Sequence, residues 1–130
     1  MKRINEVSKE SGISIDTLRY YERIGLITDI ARNKSGHRCY DDDDIGWINL
    51  LICLRGTGMS IADMQRFAQL VRGTDATIPA RIALLQQHRA DVEAHIALLV
   101  NQLDAIDVKL GHYLEHMEQE HEANIGAIGD

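Results

Sequence analysis

Ser14 to Ile27 reads SIDTLRYYERIGLI, and how this stretch is read decides the fold. Ser14 suits the cap of a helix N-terminus, and Asp16 in the first turn complements the positive end of the helix dipole. Ile15 and Leu18 fall at helical spacing and are expected to pack inward. Gly25 supplies the left-handed residue that stops such a helix. Between cap and stop lie Thr17, Arg19, Tyr20, Tyr21 and Arg23, side chains suited to contact a polyanion. Upstream, Ile4 to Ser11 reads as a short helix capped by Asn5 with Val7 turned inward, and Gly12-Ile13-Ser14 as a tight connection. Two short helices joined at a glycine have the size of a helix-turn-helix.

Downstream, Leu26 to Tyr40 lacks helical periodicity. Asn33, Lys34, Ser35 and Gly36 sit near its middle, which predicts a small hairpin, or wing, with a basic tip. Asp41 to Asp44 are four consecutive acids. A metal site is one reading; the reading adopted is a helix start, where the dipole gathers carboxylates. The residues that follow, IGWINLLICLRG, are nearly all apolar and predict a helix buried on several faces at the centre of the domain. Gly56-Thr57-Gly58 ends it. Ser60 with Asp63 then makes a capping-box-like start for a helix to Val71, with Ile61, Met64, Phe67, Ala68 and Val71 inside.

Gly73-Thr74-Asp75 reads as a linker, and Pro79 suits the first turn of the next helix. From there Ile82, Leu85, Arg89, Val92, Ile96, Leu99, Leu103, Ile106, Leu110, Tyr113 and Met117 step by alternating three and four. That is a heptad seam with one polar exception, Arg89. A helix of roughly 40 residues spans about 60 Å and cannot bury its seam alone, so a homodimer is expected. After Glu118 the chain turns polar and a frayed tail is expected. The expected divisions are therefore 1–73, a winged helix-turn-helix domain; 77–118, a coiled-coil dimerisation helix; and 119–130, a flexible tail.

The net charge of −6 at first argues against nucleic acid, but the average conceals an asymmetry. Residues 1–40 carry eight Lys or Arg against five acids, a balance of +3, while the rest of the chain carries −9. A locally basic end is compatible with DNA, because phosphate contacts are local. Cys39 and Cys53 make no disulfide framework, and neither a leader nor an apolar span is apparent, so a cytoplasmic protein away from membranes is expected. No nucleophile–base pair, phosphate loop or cofactor motif points to an enzyme.

A basic helix-turn-helix, a wing, two supporting helices and a coiled coil, in that order, resemble the MerR family of transcription regulators over nearly the whole chain. The carrying residues are Thr17-Leu18-Arg19-Tyr20-Tyr21-Glu22, Gly25-Leu26-Ile27, Arg38 with Tyr40, and Leu54-Arg55 with Gly58-Met59-Ser60. The resemblance implies a mainly α fold, an antiparallel coiled coil between two copies, and binding to a pseudo-palindromic promoter. It implies that the bound dimer distorts the promoter and so acts on RNA polymerase indirectly. Expected DNA contacts are Ser14, Thr17, Arg19, Tyr20, Tyr21, Arg23, Lys34, Arg38, Tyr40 and Arg55. Arg38 and Tyr40 would clamp the backbone from the wing, and Arg55 would assist from the second helix pair. One of Tyr20 and Tyr21 reads equally well as a core aromatic. Cys39 stands where relatives often carry arginine.

Metal-sensing and iron–sulfur relatives need cysteines at the ends of the long helix or in clusters, which are missing here, and drug-sensing relatives append a ligand domain. His112 and His116, four apart, with His121 read as solvated rather than as metal ligands. Cys53, in LLICLRGTGMS, looks like the single cysteine of the subgroup responsive to aldehydes and nitrosative stress. Gly46, Asn49, Cys53 and Gly56 share the least aliphatic stripe of their helix, expected against a close neighbour or a narrow gap. The expected input is therefore a thiol-reactive aldehyde or oxidant at Cys53, with Cys39 an exposed rival. The alternative is a metal or small-molecule inducer, with Cys53 purely structural.

Overall fold

The computed structural model describes residues 1–129. It is mainly helical, with a first unit, Met1–His88, and a remainder of the long helix from Arg89 onward. α1 spans Ile4–Ser11 and α2 spans Ile15–Arg23. Ser14 caps α2 as expected, its Oγ accepting from the Thr17 amide at 3.0 Å. α2 ends in a Schellman motif. Gly25 stands at φ 84°, the Leu26 amide donates to the Tyr21 carbonyl at 2.8 Å, and the Gly25 amide donates to the Glu22 carbonyl at 3.2 Å. Only glycine holds that φ without strain, so the helix stops here.

The cap of α1 differs from the reading. It is Arg3, and Asn5 lies exposed inside the first turn. The cause is tertiary: Lys2 pairs backbone-to-backbone with Tyr40 in both directions at 2.8 Å, which keeps the chain extended up to Arg3. The Arg3 amide then donates to the Glu6 carboxylate at 3.3 Å.

The wing is a two-stranded antiparallel hairpin, β1 at Ala31–Arg32 and β2 at Arg38–Cys39. Its tip is held by Asn33, whose side-chain oxygen accepts from the Ser35 and His37 amides at 3.0 Å each. Gly36 takes the left-handed position, at φ 80°.

α3 spans Asp42–Gly56 and α4 spans Ile61–Val71. Asp41 and Asp44 form a reciprocal capping box, each carboxylate accepting from the other residue's amide at 2.8 and 3.0 Å, and with Asp42 and Asp43 in the first turn the whole acidic run is helix start. Ser60 caps α4 by accepting from the Asp63 amide at 3.1 Å. α3 is less enclosed than expected. Ile48, Leu51 and Leu54 are buried, while Gly46, Asn49, Leu50 and Cys53 are exposed, because α3 packs with one face only. Val71 is likewise exposed and Ile15 only half-buried. The core gathers Val7, Leu18, Leu26, Ile27, Tyr40, Leu51, Met64 and Phe67, each burial contributing about 1.5–3 kcal/mol before entropy.

The supporting helices grip the end of α2. Trp47 of α3 donates its indole N–H to the Leu26 carbonyl at 2.8 Å, and Arg72, just after α4, donates to the same oxygen at 3.2 Å. Gln65 of α4 donates to the Ile24 carbonyl at 3.1 Å. Trp47 also stacks on Phe67, with centroids 5.9 Å apart. These bonds satisfy carbonyls that the end of α2 leaves open, and they set how α2 is carried.

A short 3-10 turn, Asp75–Thr77, leads into α5, Ile78–Gly129. Arg81 secures this junction, donating to the carbonyls of Leu70, Gly73 and Thr74. Thr57, at the end of α3, sits 2.8 Å from His88 Nε2. The Thr57 hydroxyl also lies within hydrogen-bonding reach of the Cys53 carbonyl, at 2.8 Å, and the Leu54 carbonyl, at 3.2 Å. From Arg89 onward the seam is open: Ile96, Leu99, Leu103, Ile106, Leu110, Tyr113 and Met117 are all exposed. The helix continues through Gly129 rather than ending at the seam, in keeping with the helix preference of the Glu, Gln and Ala residues there; Asp130 lies outside the described residues. Among the described residues no helix is long and apolar enough to cross a membrane.

Candidate nucleic-acid interface

α2 divides its residues cleanly. Leu18 and Tyr21 face the core, and Asp16, Arg19, Tyr20 and Arg23 face outward. At 100° per residue Arg19, Tyr20 and Arg23 share one face. The Arg23 guanidinium lies 5.5 Å from the Tyr20 ring centroid, a cation–π contact that restrains both on the surface.

The wing delivers a third cation to this face. Arg38 Nε donates to the Glu22 carboxylate, 2.9 Å from Oε1 and 2.7 Å from Oε2. Arg19, Glu22, Arg23 and Arg38 together line an open concavity of about 320 Å³. The bond to Glu22 raises the Arg38 pKa further above its ordinary value, so the guanidinium stays charged. Beneath lies Tyr40. Burial pushes its phenol up, Glu22 adds to this, and Arg38 and Arg19 oppose it, so the hydroxyl stays protonated at neutral pH. The face offers guanidinium donors with one carboxylate spacing them, an arrangement suited to phosphate and base-edge contacts.

The structure thus brings Arg19, Arg23 and Arg38 together. Lys34 stands exposed at the wing tip, apart from that concavity. Three sets of expected contact residues lie outside that concavity. Tyr21 and Tyr40 are 5% and 1% exposed, so their rings belong to the core. The open choice between neighbours resolves with Tyr20 outside, at 37% exposure, because Tyr21 follows Leu18 on the inner face. The Ser14 and Thr17 hydroxyls lie 2.8 Å apart, and Ser14 Oγ also caps α2. Arg55 is tied to the α3–α4 turn, donating to the Met59 carbonyl at 3.1 Å. Glu22 as the holder of Arg38 was missed; the opposite charges are sixteen residues apart, and only the hairpin brings them together.

The two thiols exchange places relative to expectation. Cys53 is exposed and Cys39 half-buried, its sulfur 3.7 Å from the His37 carbonyl. The stripe of Gly46, Asn49, Cys53 and Gly56 is open rather than set in a gap: a Cβ on either glycine would meet nothing within 4 Å. His116 pairs with Glu120 at 3.2 Å. Among the described residues no group of three or more His, Cys, Asp or Glu is placed to hold a metal.

Residues 2–70 match the model of the MerR HTH family regulatory proteins, and residues 46–108 match that of the MerR DNA-binding region. An HTH-type transcriptional regulator of Haemophilus influenzae is 38% identical over 108 residues, covering 83% of this chain and 80% of that protein. The transcriptional regulator AdhR of Bacillus subtilis is 42% identical over 86 residues, covering 66% of this chain and 61% of AdhR. The crystal structure of HiNmlR, a MerR family regulator lacking the sensor domain and bound to promoter DNA, superposes with a TM-score of 0.81 at 36% identity, over 87% of this chain and 90% of that one. These relatives are transcriptional regulators, not enzymes. With the helix-turn-helix, the wing and the long helix all in place, the chain belongs to the MerR family of helix-turn-helix regulatory proteins and is a DNA-binding transcriptional regulator of that type.

Proposed function

We propose that this regulator binds a pseudo-palindromic promoter element as a homodimer, distorts it to control transcription, and responds to thiol-reactive aldehydes or oxidants through Cys53. In this reading residues 1–73 read DNA, residues 77–118 pair with a second copy, and polymerase is affected through the shape of the promoter. The observation that carries the DNA half is the convergence of Arg19, Arg23 and Arg38 on one exposed concavity. HiNmlR, which is bound to promoter DNA in its crystal structure, supports it at 36% identity. The open seam of α5 supports the dimer, since most of its apolar residues are half exposed or more in one copy.

Two observations support Cys53 as the input. Its thiol is exposed, and its carbonyl accepts from the Thr57 hydroxyl, whose oxygen is also hydrogen-bonded to His88 Nε2 of α5. A covalent change at residue 53 is therefore two hydrogen bonds from the helix that carries the seam. AdhR and HiNmlR lend the subgroup at moderate identity.

Transcription from its own promoter, with wild type and Cys53→Ala, with and without formaldehyde, tests the input. Loss of the response in Cys53→Ala is expected; an unchanged response sinks the sensing role. Arg19→Ala is expected to weaken operator binding by about 1–3 kcal/mol in a gel-shift titration, and unaltered affinity would remove the proposed face.

A further inference from the structure

The seam of α5 has a single charged member, Arg89. Its side chain is 82% exposed and pairs with Glu93 of its own helix, at 3.2 Å. A guanidinium at a seam position must keep its hydrogen bonds when apolar neighbours close around it. A register that supplies an acid there is favoured over one that does not.

We propose that the α5 seam pairs with a second copy in the register that sets Arg89 opposite Ile106 of the partner subunit, where Arg89 binds Asp107 of the partner subunit. This rests on the homodimer reading above and adds its register. Orientation follows from charge. Glu115, Glu118, Glu120 and Glu122 crowd one end of α5, with no Lys or Arg among residues 110–122. Parallel pairing would set these acids side by side, whereas antiparallel pairing separates them and brings Arg89 toward the other helix's acidic half.

Register follows from counting. In an antiparallel two-fold pair, residue numbers at one level sum to a constant, and a positions meet d positions. Ile96 opposite Leu99 of the partner subunit places Val92 opposite Leu103 of the partner subunit and Arg89 opposite Ile106 of the partner subunit. Asp107 follows Ile106 at the e position, on the flank toward which an a-position side chain leans. Sliding by one layer loses the acid: Arg89 then meets Leu99 and Val100, or Tyr113 and Leu114. Asp107 has no partner among the described residues. Within one helix it lies about 27 Å from Arg89, too far to pair, so only a second copy brings them together.

The test uses the full chain with Cys39→Ser and Cys53→Ser. Val92→Cys with Leu103→Cys is expected to give covalent dimers on oxidation, and Val92→Cys with Leu110→Cys is not. The reverse pattern overturns the register while leaving the dimer. Separately, Arg89→Glu and Asp107→Arg are each expected to weaken dimerisation at least about tenfold in sedimentation equilibrium, and the double reversal to recover most of it. Failure of the double reversal to recover overturns the ion pair. A wild-type chain that sediments as a monomer overturns the homodimer reading itself.

Discussion

Arg38 of the wing and Glu22 of α2 are joined through one nitrogen, Arg38 Nε, lying 2.9 and 2.7 Å from the two carboxylate oxygens. The bond to Glu22 is made through Nε alone, and Arg38 lines the concavity shared with Arg19 and Arg23. Glu22 is thus a positioning residue, set between cations that face an anion.

Glu22→Gln is expected to have opposite effects on two affinities. Removing a negative charge strengthens binding to unrelated duplex, while the loosened Arg38 weakens operator binding. The ratio of operator to non-specific affinity should fall roughly tenfold, read by competition titration at fixed salt. Global stability should change by less than about 1 kcal/mol, since the pair is partly exposed. An unchanged ratio would show that Arg38 needs no holder.

Trp47 and Arg72 donate to one oxygen, the Leu26 carbonyl. Either donor alone still satisfies it. Trp47→Phe and Arg72→Met are each expected to cost about 1 kcal/mol in urea unfolding, and the double variant more than their sum, because the carbonyl of a fully buried residue is then orphaned. Strict additivity would mean that water takes the vacated place.

Two glycines should respond in opposite directions. Gly25 stands at φ 84° with open space around its missing Cβ, so Gly25→Ala is expected to destabilise by about 1 kcal/mol through backbone strain alone. Gly46 lies inside α3 with helical φ and equally open space, so Gly46→Ala is expected to stabilise by about 0.5–1 kcal/mol. Thermal melts of the two variants check both signs.

Tyr40 makes alkaline stability pH-dependent. Its folded pKa is raised above the ordinary 10.0 by burial. The unfolded chain therefore loses this proton first, and stability present below pH 10 is lost as pH rises through the folded value. Tyr40→Phe is expected to flatten the decline of urea stability above pH 10. A decline of equal slope in the variant would assign it to other groups.

Much of this protein is legible residue by residue. The Ser14, Asp41 and Ser60 caps, the stops at Gly25 and Gly58, and the heptad seam are local features, set by backbone groups and side chains within one helical turn. Sequence by itself therefore determined the element order, the helix-turn-helix with its wing, and the need for a second long helix. What it left undecided depends on chain segments distant in sequence. The extended pairing of Lys2 with Tyr40 moved the cap of α1 from Asn5 to Arg3. Packing of α2 against the core chose Tyr21 for the inside and Tyr20 for the outside, and took Tyr40 inward. The face of α3 that found no neighbour left Cys53 exposed. The stretch SIDTLRYYERIGLI specifies a helix carrying arginines. The hairpin that brings Arg38 to Glu22, and the donors Trp47, Gln65 and Arg72 that hold the end of α2, decide how those arginines are carried.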